Sequence, residues 1–176
     1  MTSPAFHIPA SDYLDAIRRN GVDHLVTVPD WVQLALHTRV EAGVPGLRPI
    51  TCANEDQALC TAAGLQIGGR RALVVIQNQG LFACANALRA LTIDARIPLV
   101  MLIGQFGREF ANFGQEPGLS RRSMVRHLEP LLDALCVRHW RLEREGDLVA
   151  MDVAFEHAHR ERAATALIVG APTGWN

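Results

Sequence analysis

Long apolar runs, a surplus of charge and paired cysteines are all absent from this sequence. No apolar stretch reaches the roughly 18 residues that a membrane-spanning helix requires. Met1 to Ala10 lacks the basic start and long apolar centre of a signal peptide. The net charge of -1 gives no electrostatic reason to expect a nucleic acid or an anionic membrane as partner. These absences predict a cytoplasmic protein with neither kind of partner.

Patterns for metal and phosphate binding are absent as well. None of the cysteines sits in a C-x-x-C pair, and all are predicted to be buried, reduced thiols: Cys52, Cys60, Cys84 and Cys136. The seven histidines are scattered, so no metal site is predicted. There is no G-x-G-x-x-G after a strand, no Walker-type loop and no G-x-S-x-G elbow, which argues against a Rossmann-type nucleotide site and a hydrolase nucleophile.

What the sequence does contain is an alternation of short apolar strands and helix patterns. Six strands are predicted, over residues 24–28, 48–52, 72–76, 98–103, 136–140 and 164–169. Such alternation indicates a mostly parallel sheet with helices on both faces. A chain of 176 residues fits one domain, with its core over about 10–170. We therefore predict an α/β fold consisting of a single doubly wound domain.

The helix boundaries follow from local start and stop signals. Helices are predicted from the N-cap Ser11 to Asn20, from Pro29-Asp30 to Gly43, from the N-cap Asn54 to Gly68, and over 82–92, 123–135 and 147–160. Pro130 is expected to adjust the helix over 123–135. The glycine-rich and amide-rich segment 105–122 is predicted to be a long loop, and such loops are often functional. In it, Arg108, Arg121 and Arg122 either bind an anionic substrate tail or belong to a solvated loop.

Polar residues follow four of the predicted strands. Ligands collect at the carboxyl ends of the strands in an open parallel sheet. Four segments fall at that edge: Val28-Pro29-Asp30, Ala53-Asn54-Glu55, Gln77-Asn78-Gln79-Gly80 and Gly104-Gln105-Phe106-Gly107. This convergence predicts a binding site at the carboxyl edge.

Each candidate residue also has a purely structural alternative. Glu55 fits a first-turn carboxylate that favours the helix dipole, and Asp30 fits an N-cap. Asn78 and Gln79 fit ordinary loop caps. His127 follows the long loop, where a histidine either faces solvent or reaches a cleft. The residues alone leave these alternatives open.

Segment 52–64 (CANEDQALCTAAG) resembles the pyrimidine-binding domain of thiamine-diphosphate enzymes, in which a strand ends, a Glu follows and a helix rich in Ala and Gly begins. The match extends through VIQNQGL, NAL, VPD and IPL to the two-subunit branch that includes sulfopyruvate and phosphonopyruvate decarboxylases. It covers about residues 10–170. Two departures lie where the substrate is expected: Gln79 replaces the usual Ser, and GQFGR over 104–108 replaces an S-x-R-G-like loop.

The resemblance implies a 2-oxoacid decarboxylase with Glu55 as its catalytic residue. Glu55 would hydrogen-bond the pyrimidine ring nitrogen of thiamine diphosphate and so help the cofactor form its nucleophilic ylide. Cofactor contacts are implied for Pro29 and Asn78. Substrate contacts are implied for three residues: Asp30, Gln79 and His127. A thiamine-diphosphate carboligase subunit and a non-catalytic α/β binding or regulatory domain are the alternatives.

The resemblance also implies a partner. In this superfamily a separate domain holds the diphosphate and its Mg²⁺ through a G-D-G motif followed by an Asn. This sequence has no G-D-G, and its Gly146-Asp147 pair fits a helix start. A separate diphosphate-binding beta subunit is therefore implied, in a hetero-oligomer that acts on a small 2-oxoacid. Sulfonate, phosphonate, carboxylate and aromatic tails all stay open.

Overall fold

Six parallel strands form one sheet at the centre of the computed structural model, which describes residues 6–176. The strands are β1 (His24–Thr27), β2 (Arg48–Thr51), β3 (Ala72–Gln77), β4 (Leu99–Gly104), β5 (Arg138–Leu142) and β6 (Ala164–Val169). Their order across the sheet is β2-β1-β3-β4-β6-β5. This order confirms the predicted doubly wound α/β fold. Residues 1–5, half of the segment compared with a signal peptide, lie outside the described residues.

Eight α-helices within residues 6–176 surround the sheet. They are α1 (Ala10–Arg19), α2 (Leu34–Glu41), α3 (Glu55–Ile67), α4 (Asn78–Ala83), α5 (Ala85–Arg89), α6 (Ser123–Arg126), α7 (Leu128–Ala134) and α8 (Val149–Glu161). A π-helical turn over Ala90–Asp94 follows α5, and 3-10 turns cover Phe110–Asn112, Pro117–Leu119 and Glu145–Leu148. The 105–122 segment is thus a loop with two short turns.

The central strands β3, β4 and β6 are buried on both faces, which explains their largely apolar sequences, whereas the edge strands β2 and β5 are mostly exposed or half-buried. In β3, Leu73 and Val75 pack into one core cluster with α1, α2 and α8. Val74 and Ile76 pack into a second cluster with α3, α4, α5 and α7. Successive residues of a strand point to opposite faces, so a strand of apolar residues contributes side chains to both clusters.

Several helix boundaries differ from the sequence prediction. α1 begins before Ser11 and has Pro9 at its N-cap, so Ser11 as N-cap is wrong. The second helix begins only at Leu34. The helix over 123–135 breaks at His127 rather than at Pro130. Pro130 lies in the first turn of α7, where a missing N–H leaves no intrahelical bond unmade.

The predicted loop after β3 is largely a helix. α4 begins at Asn78, so Asn78, Gln79 and Gly80 form its first turn. The N-cap predicted at Asn54 is confirmed, because its side chain accepts a hydrogen bond from Gln57 N.

All four cysteines are free, but they differ in exposure. Cys52 and Cys84 are buried as predicted, whereas Cys60 and Cys136 are exposed. The burial prediction is therefore wrong for the second pair, which lies on the outer face of α3 and just before β5.

Candidate active site at the carboxyl edge

The side chains that follow β1, β2, β3 and β4 meet at the carboxyl edge of the sheet. Asn78 Nδ2 donates to Phe106 O at 3.0 Å, which joins α4 to the segment after β4. A Cβ built on Gly104 would lie 2.8 Å from Asp30 Oδ1, so the loop after β1 rests on the end of β4. Glu55, which follows β2, reaches the first turn of α4. The four polar segments therefore form one continuous surface.

Glu55 is the first residue of α3, and two local hydrogen bonds hold the chain there. Asn54 Oδ1 accepts from Gln57 N at 2.9 Å, and Gln57 Oε1 accepts from Ala53 N at 2.8 Å. Both bonds satisfy backbone donors that have no partner inside the helix. The Glu55 side chain is half-buried. The positive end of the helix dipole favours its negative charge, as the structural alternative expects.

Gly80 provides the space that the Glu55 carboxylate occupies. A Cβ at position 80 would lie 1.8 Å from Glu55 Cδ and 1.9 Å from Oε1. Real Cβ contacts below 3.0 Å essentially do not occur. Only glycine therefore admits Glu55 in this position. In the sequence, Gly80 belongs to the Gln77-Asn78-Gln79-Gly80 segment and has no assigned role. A glycine inside a helix costs roughly 0.5–1 kcal/mol relative to alanine, and the position of Glu55 is the reason for a glycine here.

A buried thiol lies close to the same carboxylates. Cys84 Sγ is 3.5 Å from Leu81 O inside the core. Burial, together with the charges of Asp56 and Glu55, raises the pKa of Cys84 to about 12. The thiol is consequently protonated at neutral pH and is not a nucleophile.

Asn78 is fully buried in the first turn of α4. Its Nδ2 donates to Phe106 O and also to Met124 O, at 3.3 Å. Both partners are carbonyl oxygens, which fixes the orientation of the amide. Asn78 Oδ1 has no hydrogen-bond partner in the described chain. Asn78 thus ties α4 to two neighbouring segments and carries one unpaired acceptor; its cofactor contact stays a prediction.

Asp30 is buried rather than open to the cleft. Its Oδ1 accepts from Gln33 N at 2.9 Å, and its Oδ2 accepts from Gln33 Nε2 at 2.8 Å. His37 Nε2 lies 3.9 Å from the same Oδ2. The bond to Gln33 N closes a turn ahead of α2, whose N-cap is Gln33, so the expectation that Asp30 is the N-cap of this helix is wrong. The substrate contact of Asp30 stays a prediction.

The other three predicted ligand contacts are exposed. Gln79 Oε1 accepts from Gln77 Nε2 at 3.0 Å on the outside of α4. Pro29 follows β1, and His127 separates α6 from α7. Their positions leave them accessible to a ligand or a partner chain, and their roles stay predictions.

Arg108 anchors the 105–122 loop from the inside, which no local signal in the sequence indicated. All five of its N–H donors have acceptors. Nε donates to Asn112 Oδ1, and Nη2 donates to Asn112 O and Gln115 O. Nη1 donates to Gln105 Oε1 and Glu143 Oε1. The expectation of a solvated or ligand-binding arginine is therefore wrong for Arg108, whereas Arg121 and Arg122 are exposed.

Two kinds of feature are missing from the described part of the chain. Within residues 6–176, no three His, Cys, Asp or Glu side chains are grouped so as to hold a metal ion. In the same range, no helix combines the length and the apolar character needed to cross a bilayer.

Comparison with known proteins identifies relatives for this chain, although no family model matches it. It is 33% identical over 135 residues to a phosphonopyruvate decarboxylase of Streptomyces viridochromogenes, which covers 77% of this chain and 32% of the relative. It is 35% identical over 101 residues to a phosphonopyruvate decarboxylase of Streptomyces hygroscopicus, covering 57% and 25%. It is 28% identical over 89 residues to the sulfopyruvate decarboxylase subunit alpha of Methanothermobacter thermautotrophicus, covering 51% and 53%.

The matched regions span a third or less of the two Streptomyces relatives and about half of the Methanothermobacter subunit. At this modest identity, the three relatives support the decarboxylase family that the motifs resemble.

Proposed function

We propose that the chain is the pyrimidine-binding subunit of a thiamine-diphosphate-dependent 2-oxoacid decarboxylase, with Glu55 as its catalytic acid. The observation that carries the proposal is the position of Glu55, a half-buried carboxylate at a helix start that occupies the space left by the missing Cβ of Gly80. The names of the relatives support the same reaction class.

The residues at the carboxyl edge fit the aminopyrimidine end of the cofactor. Glu55 offers a carboxyl oxygen that would share a proton with the pyrimidine ring nitrogen. Asn78 has an unpaired amide oxygen in the same helical turn as Gly80, and Pro29 is exposed at the neighbouring strand end. When bound, thiamine diphosphate supplies the nucleophilic carbon and accepts the electrons released with carbon dioxide. In this proposal, Glu55 holds the shared proton and the residues of the carboxyl edge align the pyrimidine ring.

The diphosphate and its Mg²⁺ are assigned to a second subunit in this proposal. The chain contains no G-D-G motif. The Methanothermobacter relative carries the name of an alpha subunit, which supports a partner chain. The active site would then lie at the interface, where the exposed side of Glu55 and residues Pro29, Gln79 and His127 are available for contact.

The test mixes this chain with a candidate G-D-G subunit, thiamine diphosphate, Mg²⁺ and a panel of 2-oxoacids, and measures carbon dioxide release. Glu55→Gln keeps the shape of the side chain but removes its acidic proton, so kcat should fall by about 10²–10⁴-fold. Asp56→Asn is the matched control, because Asp56 is the exposed neighbour in the same helical turn and loses the same charge. Its activity should stay within a few-fold of the wild type.

Each part of the proposal has its own contradicting outcome. Full activity in Glu55→Gln would remove Glu55 from the mechanism. Turnover by this chain without a second subunit would refute the two-subunit arrangement. Carbon–carbon bond formation in place of carbon dioxide release would identify a carboligase, and cofactor binding without any turnover would identify a non-catalytic domain.

A further inference from the structure

An aromatic cleft of about 180 Å³ opens over the carboxyl ends of β4 and β6, beside the candidate active site. Four aromatic side chains line it: Trp31, Phe106, Phe110 and Phe113. Trp31 is 74% exposed and Phe110 is 83% exposed. Aromatic side chains grouped around a concave surface indicate a binding site rather than random surface composition.

The cleft offers no free positive charge. Arg108 is the one cation among the described residues that line it. Its five donors are all occupied inside the protein, and Glu143 neutralises its charge. The nearby Arg122 has its Cγ 3.8 Å from a Cβ built on Gly107, but it is exposed and does not line the cleft. A phosphonate or sulfonate is bound through charge-assisted donors such as unpaired guanidinium groups. This cleft therefore does not fit an anionic tail.

The size of the cleft suits one ring. An apolar protein cavity of about 150 Å³ is large enough to hold a benzene molecule. The 180 Å³ of this cleft consequently accommodates a phenyl group or a branched aliphatic group of similar volume. The remaining wall consists of the apolar Val32 and Pro172, two glycines, and the polar Gln105 and Arg108. Gln105 Nε2 has no hydrogen-bond partner in the described chain, so the wall also offers one uncharged donor.

The cleft is also at a suitable distance from Glu55. β3, which leads into the turn that carries Gly80, neighbours β4, and β4 neighbours β6. Adjacent strands are about 4.8 Å apart, so the cleft lies roughly 5–10 Å across the sheet edge from that turn. The bond from Asn78 Nδ2 to Phe106 O joins the two sites directly. A cofactor ring bound at Glu55 and one small 2-oxoacid can together span this distance.

We propose that this cleft holds the side chain of the 2-oxoacid substrate, and that this side chain is uncharged, apolar and about the size of one aromatic ring. The inference rests on the proposed decarboxylase function and narrows it. Such a substrate would differ from phosphonopyruvate and sulfopyruvate, the compounds in the names of the relatives.

The first test compares kcat/KM of the assembled enzyme for phenylpyruvate and 4-methyl-2-oxopentanoate with that for sulfopyruvate and phosphonopyruvate. The apolar substrates should be preferred at least 10-fold. Phe110→Arg adds a cation at the exposed rim and should reduce this preference at least 10-fold. Leu119→Arg is the matched control, because Leu119 is an exposed apolar residue of the same loop that does not line this cleft. It should change the preference less than twofold.

A preference for sulfopyruvate or phosphonopyruvate would overturn the inference and leave the decarboxylase function intact. If no 2-oxoacid is decarboxylated, the proposed function fails, and binding decides the inference separately. The chain has three tryptophans, so its indole N–H signals are resolvable by NMR, and Trp31→Phe assigns the signal of Trp31. Phenylpyruvate should shift that signal and sulfopyruvate should not; equal responses, or none, would overturn the inference.

Discussion

Gly80→Ala is the sharpest test of the Glu55 site, because it displaces the carboxylate without changing the residue at position 55. The new Cβ would lie 1.8 Å from Glu55 Cδ and 2.3 Å from its Cγ. Restoring a contact of 3.0 Å requires the carboxyl carbon to move by about 1.2 Å. The atoms that must move belong to the free end of a flexible, half-buried side chain, so the backbone can stay in place.

Gly80→Ala should therefore lower the activity while changing the free energy of unfolding only slightly. Alanine is favoured over glycine inside a helix by roughly 0.5–1 kcal/mol, which offsets much of the cost of turning Glu55 to another rotamer. The free energy of unfolding should change by about 1 kcal/mol or less, or about 2–4 °C in Tm for a chain of this size. A displacement of about 1 Å in a catalytic group costs about 10²-fold in rate. We expect kcat to fall by about 100-fold.

The assay is thermal unfolding of the variant chain combined with carbon dioxide release by the assembled enzyme. Gly64→Ala is the control, because Gly64 also lies in a helix and a Cβ there meets nothing within 4 Å. It should show the helix-propensity gain and keep its activity. Wild-type kcat in Gly80→Ala would refute the idea that this glycine seats the catalytic carboxylate. Loss of the fold would show that Glu55 cannot leave its seat and that the packing is structural.

Two further predictions concern buried groups. Arg108→Leu removes the five hydrogen bonds of a buried guanidinium and leaves the partly buried Glu143 without its counter-charge, which should cost roughly 3–5 kcal/mol and lower Tm by about 10 °C in a thermal unfolding scan. An unchanged Tm would mean that the loop is held by other contacts. The Cys84 thiol, with its pKa raised to about 12 by burial and by nearby carboxylates, should resist iodoacetamide at pH 8 while exposed Cys60 is labelled, as read by mass spectrometry. Equal labelling of both thiols before unfolding would contradict the burial of Cys84.

The sequence predicted the sheet better than it predicted the helices. The boundaries of β6 agree with the prediction, and the other strands agree within two residues. A strand between two helical layers needs apolar residues at every position, and that signal is local. Helix boundaries also respond to contacts with distant segments, as at Asn78, whose side chain donates to Phe106 O and Met124 O. α4 begins at this residue, four residues before the predicted start.

For the site, the sequence identified the residues but not their contacts. Asp30 and Asn78 were candidates for ligand binding, yet the structure gives each of them buried hydrogen bonds within the chain. Gly80 was part of a motif without a role. Arg108 was expected at the surface, because its partner Glu143 lies 35 residues away and no pattern joins them.

The sequence by itself determined the fold class, the N-cap at Asn54 and the carboxylate that follows it, because apolar runs and helix caps act over a few neighbouring residues. The tertiary structure alone decided that the Glu55 carboxylate lies over Gly80, that Arg108 is neutralised inside its loop and that four aromatic side chains enclose a cleft. Each of these depends on packing between segments far apart in the chain, where the absence of one Cβ or the position of one counter-charge sets the geometry.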